Sequence, residues 1–169
     1  MRIVVVGILL ILTHILEMTL FDTIRIGAVA PNFILMIIVS FALLRGSKEG
    51  AIIGATAGLF YDVTFGMFIG QQAIPYLLVG YICGKFNKNF YRENFVMPFF
   101  CTLFSSFFVS FISVLIYIMR GKMKLFFFLK TLAIPEVIYT VTLSLVIYQL
   151  IYLINEKLET REKKTRNIF

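Results

Sequence analysis

The stretch Gly50-Ala-Ile-Ile-Gly54-Ala-Thr-Ala-Gly58-Leu-Phe-Tyr-Asp62-Val-Thr-Phe-Gly66 sets four glycines and one aspartate at intervals of four. In a helix that period holds them on one slowly drifting stripe. A glycine stripe lets a second backbone come close, which is how helices gain contact in a membrane, where no hydrophobic driving force acts between them. The stripe has two readings. It packs another helix of the same chain, or it receives the helix of a partner. Asp62 continues the stripe and is either hydrated near a boundary or part of a polar network.

Outward from this stretch the chain alternates long apolar runs with short charged breaks. It has 169 residues, 60% of them hydrophobic, and a mean hydropathy of +0.93. A soluble domain is closer to half apolar. A bilayer core needs about 20 apolar residues per helix, so six helices take roughly 120 and leave only short loops and a tail. The sequence therefore predicts an all-α integral membrane protein, a compact bundle of about six transmembrane helices over residues 1–154. A charged tail over 155–169, disordered or lying on the membrane surface, follows it. The runs are about Ile3–Phe21, Ile26–Leu44, Ala51–Phe65, Met67–Gly84, Asn94–Met119 and Thr131–Leu153. The first lacks a small-residue cleavage site and reads as a retained helix rather than a signal peptide. Aromatic Leu125–Lys130 reads as interfacial.

The charge excess, 16 Lys plus Arg against 9 Asp plus Glu, reads as a topology signal and not as a nucleic-acid footprint. With six helices, one side collects Arg2, Arg45, Lys48, Lys85, Lys88, Arg92, Lys157, Arg161, Lys163, Lys164 and Arg166. The other collects Arg25, Arg120, Lys122, Lys124 and Lys130. By the positive-inside rule both termini are cytoplasmic, and the basic loops meet anionic lipid.

Polar residues within the runs are the candidates for chemistry. His14 and Glu17 lie one turn apart and are placed to hydrogen-bond. Glu17, Asp62 and Glu136 all fall toward the outer half and, if they converge, line an outward-facing cavity; carboxylates at membrane depth face protein, water or a partner. Pro135 beside Glu136 frees backbone carbonyls. Gln71, Gln72 and Pro75 open the fourth helix, where the glutamines bond across helices or simply pack. Cys83 and Cys101 read as small buried apolar residues. With one His and no Cys/His cluster, no metal site or cofactor is expected. No phosphate loop, nucleophile elbow or zinc motif is present, so enzymatic activity is not expected.

Several ordered pieces carry a family resemblance. They are Ala30-Pro-Asn-Phe, Phe41-Ala-Leu-Leu-Arg-Gly-Ser-Lys-Glu-Gly50, Gly54-x3-Gly58-Leu-Phe-Tyr-Asp62-x3-Gly66, and Gly70-x4-Pro75-Tyr-Leu-Leu-Val-Gly-Tyr81-x2-Gly84-Lys85. Together they resemble the MreD family over roughly residues 1–90. The chain carries Pro31-Asn32 where the family has Pro-Asp, so a role needing a carboxylate does not transfer to Asn32, which joins the outer polar candidates. The resemblance implies a non-enzymatic membrane component of the bacterial cell-elongation machinery, controlling cell shape and side-wall peptidoglycan synthesis. The implied partners are MreC, directly, with MreB, RodA and a class B penicillin-binding protein in the same complex. The implied fold is similar to the substrate-binding components of ECF transporters. A solute-binding component of that transporter type is the alternative reading of the same helix count.

Overall fold

The computed structural model describes residues 2–20, 30–66, 68–89, 96–119 and 134–166, and these are all helix, turn or short link with no strand. Among the described residues six α-helices follow in order: α1 (Arg2–Leu20), α2 (Phe33–Arg45), α3 (Ser47–Phe65), α4 (Ala73–Lys85), α5 (Val96–Met119) and α6 (Ile134–Arg166). A short 3-10 turn, Phe86–Asn89, follows α4. The expected break at Asp22–Arg25, the start of the second run at Ile26, the turn Arg120–Lys124 and the segment Leu125–Lys130 lie outside the described residues.

The bundle is apolar on its outside as well as in its core. Large apolar side chains face outward, among them Ile8, Ile11, Leu12 and Ile15 on α1, Phe100, Phe104, Phe107 and Phe111 on α5, and Ile138, Val146 and Leu150 on α6. The buried sides of α5 and α6 also carry small polar residues, Thr102, Ser106 and Ser110 on α5 and Thr140 and Ser144 on α6. A continuous apolar exterior is untenable in water, whereas small polar residues between helices are the usual contact in lipid. Val96–Ile116 and Ile134–Thr160 are each long and apolar enough to cross a bilayer. The chain is a membrane protein built of helices.

α2 is the axis of the bundle. Every residue from Ile34 to Leu44 is buried, and α1, α3, α4, α5 and α6 all pack on it. Its 13 residues span only about 20 Å. Both ends are half-buried, and a helix that ends within a membrane protein needs a partner for each free N–H and C=O. At its C-terminus the Asn87 amide donates to Leu43 O at 2.6 Å. Arg45 Nε donates to Asn155 Oδ1 of α6. Gly46 then reverses the chain with φ +96, a left-handed value that favours glycine, and α3 begins at the next residue.

The glycine stripe of α3 is filled by α4, and this is the most extensive helix pair in the structure. A Cβ on Gly50 would stand 2.5 Å from Gly80 O, one on Gly54 2.7 Å from Tyr76 C, and one on Gly58 2.7 Å from Ala73 N. The fit is reciprocal, because a Cβ on Gly80 would meet Gly50 C at 2.5 Å. Gly66 has a different task. It ends α3 in an extended conformation, with its N–H returned to Asp62 O at 2.9 Å.

Four boundaries differ from the sequence expectation. α3 starts at Ser47, not Ala51, because Gly46 alone makes the turn and Glu49 favours the first turn of a helix. α2 starts after Asn32, so Pro31 lies outside it. α4 starts at Ala73, and Phe68–Gln72 form turns, so Gln71 and Gln72 precede the helix. The last helix does not stop at Leu153 but runs unbroken to Arg166. Residues 155–166 are rich in Glu, Lys and Arg, which are good helix formers with favourable i,i+4 pairs, so the charge that ends the apolar run does not end the helix.

Candidate functional site

The start of α2 gathers polar side chains from four helices. Its first turn has N–H groups with no partner in the helix itself. Asn32, the N-cap, accepts from Leu35 N at 2.9 Å through Oδ1. Glu17 of α1 reaches over and accepts from Ile34 N at 3.0 Å. Its carboxylate thus sits at the positive end of the helix dipole, where an anion is most favourable. Cap and carboxylate divide the first-turn donors between them.

Asn32 is itself held from two sides. Its backbone N–H donates to Thr140 Oγ1 of α6 at 3.1 Å, and its amide nitrogen donates to the Tyr76 hydroxyl of α4 at 2.8 Å. Tyr76 is fully buried, and a buried hydroxyl needs such a partner. Glu136 lies one helical turn before Thr140, within electrostatic reach of both Glu17 and Tyr76. Glu17 and Asn32 therefore meet at the start of α2, with Glu136 within electrostatic reach, and Tyr76 and Thr140 join them. Neither of the last two stood out in the sequence. A tyrosine or threonine in an apolar helix is ordinary, and only the fold shows that both aim at Asn32.

Asp62 is engaged elsewhere. It is 2% exposed, and both its oxygens accept backbone N–H groups of the link into α4. Gly70 N donates to Oδ2 at 2.8 Å, Gln72 N to Oδ1 at 2.8 Å and Ala73 N to Oδ2 at 3.1 Å. Three N–H donors satisfy a buried carboxylate fully enough to keep it in the membrane protein's interior. The residue that reads as the last member of a glycine stripe is the clamp that folds α4 back against that stripe.

His14 and Glu17 do not bond to each other. His14 Nε2 pairs with Thr64 Oγ1 of α3 at 2.9 Å, and the ring packs against Tyr61 and Phe65. Same-face spacing placed the two correctly, but each points to a different neighbouring helix. These two contacts are the polar ties of α1, which otherwise packs sparsely on the bundle. Gly7 near its beginning has no atom within 4 Å of where a Cβ would be.

Two further features complete the inventory. A groove of about 810 Å³ lies between α4 and α5, lined by Phe86, Phe100, Phe104, Phe107, Phe108 and Phe111, with Cys83 and Cys101 in its wall. Cys83 Sγ is 3.3 Å from Ser105 Oγ, and both cysteines are free thiols. Among the described residues no group of three or more His, Cys, Asp or Glu side chains is placed to hold a metal ion.

The cluster at α2 thus joins four helices through hydrogen bonds, which is the chemistry of a tie point. No curated protein and no solved structure is a significant match to the chain. The family model described as rod shape-determining protein MreD matches residues 1–158, which takes in α1 to α5 and α6 as far as residue 158, and the chain accordingly belongs to the MreD family.

Proposed function

We propose that this chain is a non-enzymatic scaffold or regulator of the bacterial cell-elongation complex. It contacts MreC directly and acts with MreB, RodA and a class B penicillin-binding protein in side-wall peptidoglycan synthesis. Family membership supplies the rod-shape role. The observation that supports a scaffold is where the polar groups go. Glu17, Asn32 and Asp62 are spent on backbone N–H groups of the same chain, while α1, α3 and α5 turn large apolar side chains outward. Val63 is 75% and Phe104 68% exposed. Such a surface works by lateral contact in the bilayer.

In this reading all six helices cross the membrane. α2 and α4, each 13 residues, are shorter than a core of about 30 Å, and their flanking links complete the crossing. Eleven of the 16 Lys and Arg then fall on the side of both termini, which makes that side cytoplasmic. The α2 C-terminus, with Arg45 and Asn87, faces inward, and the Glu17–Asn32–Glu136 cluster faces outward. Within the chain the glycines of α3 pack α4, so the partner's helix is received on another face.

The test is recovery of the tagged protein from native membranes in mild detergent, with mass spectrometry of what accompanies it. MreC and cell-wall synthases are expected. An ATPase pair with a transmembrane coupling subunit, found in their place, would make the chain a solute-binding transporter component instead.

A further inference from the structure

α6 has 33 residues, about 50 Å of helix at 1.5 Å per residue. A bilayer core takes about 30 Å, so the helix outruns it by more than three turns. The exit is anchored. Asn155 is 1% exposed, accepts from Arg45 of α2 and donates to Glu159 one turn further on at 3.1 Å. Tyr148, Ile151 and Asn155, all buried, mark the side of α6 that faces the bundle. Lys157 is exposed, and Arg161 and Lys164 follow it at i+4 and i+7. At 100° per residue these three positions fall within about 60° of one another, on the side of the helix opposite Asn155.

We propose that the end of α6 is a rigid arm that stands off the inner face of the membrane and docks an acidic surface of a cytoplasmic protein along Lys157, Arg161 and Lys164. Charge complementarity selects an anionic occupant. Direction selects protein over lipid headgroups. The three positions climb about 10 Å along the helix axis, and that axis continues a membrane-crossing helix. A planar leaflet meets only the first of them, whereas a protein surface rising from the membrane meets all three. A flexible tail would bend to the leaflet; an unbroken helix tied at Arg45–Asn155 does not.

The proposal rests on the inward orientation given above, so the experiment has two readouts. Lys164→Cys in whole cells reports the side, by labelling with a membrane-impermeant maleimide. Labelling only after permeabilisation is expected, and labelling of intact cells would overturn the orientation and the arm with it. A photo-crosslinking amino acid at position 161 then reports the contact in living cells. The expected adduct is an Asp/Glu-rich segment of a cytoplasmic protein. Its yield should fall at least about tenfold in Lys157→Glu/Lys164→Glu, as two attractions become repulsions. It should recover when acidic residues at the adduct site are changed to lysine. Adducts to phospholipid alone, no adduct, or a protein adduct indifferent to charge reversal would each overturn the arm. Because the readout is contact and not cell shape, none of these outcomes bears on the rod-shape role.

Discussion

Replacing Asp62 separates hydrogen bonding from helix packing. Its two oxygens accept from Gly70, Gln72 and Ala73, so Asp62→Leu leaves three backbone N–H groups without a partner at a buried site. At about 1–3 kcal/mol for each orphaned donor, the cost is roughly 3–9 kcal/mol. Asp62→Asn retains one carbonyl oxygen and turns an NH₂ toward the remaining donor or donors. It forfeits at least one charge-assisted bond, about 1.5–3 kcal/mol, and the charge at the start of α4, about 0.3–1 kcal/mol. The sum is about 2–4 kcal/mol. In a chain of this length 1 kcal/mol moves Tm by about 2–4 °C, so Asn lowers it by roughly 4–16 °C and Leu by more. The protein carries its own reporter, since Cys83 and Cys101 are both buried. A thiol-reactive fluorophore in mild detergent reads their exposure on heating. Wild-type melting in Asp62→Leu would refute the clamp. Equal losses in both variants would mean that charge, and not the number of bonds, decides.

The remaining predictions use the same assay or a local one. Gly54→Ala costs about 1–3 kcal/mol and Gly54→Leu more, because α4 backbone cannot yield to a Cβ; unchanged melting and co-purification of Gly54→Leu would contradict this. Gly7→Ala, with open space at its Cβ, is neutral or stabilises by up to about 1 kcal/mol, so a loss there would show that α1 packs more tightly than described. Glu17→Ala speeds amide hydrogen exchange at Ile34 about tenfold or more while leaving Leu35, capped by Asn32, much less affected. Tyr76→Phe orphans the Asn32 amide nitrogen and costs about 1–3 kcal/mol, and an unaltered Tm would remove Tyr76 from the cluster.

Much of this was legible in the sequence, for reasons that differ by feature. Apolar runs of membrane length gave the helical class. The period of four through Gly50, Gly54 and Gly58 predicts a close helix contact, and Gly80 and Gly84 on α4, legible in the sequence only as part of the family motif, are the facing half of it. Residue count along each run assigns Glu17, Asn32 and Glu136 similar depths, because depth along a helix follows from that count. Their partners were not readable. Which way Tyr76 or Thr140 points depends on how α4 and α6 are rotated around α2, and an all-round apolar helix carries no periodicity to fix that rotation. Spacing alone assigns Asp62 to the stripe, yet the clamp depends on the link into α4 folding back, a link with no regular pattern. The end of the last helix differs from the expectation at Leu153 because hydropathy locates the membrane boundary, whereas helix propensity carries α6 beyond it.

The most direct test of the account is depletion of the chain in its own host, with cell outline and newly inserted side-wall peptidoglycan imaged together. The account predicts that cells lose rod shape and side-wall insertion. Wild-type protein should restore both, and Gly54→Leu should not. Rods that persist with normal side-wall synthesis while uptake of a solute fails would contradict it.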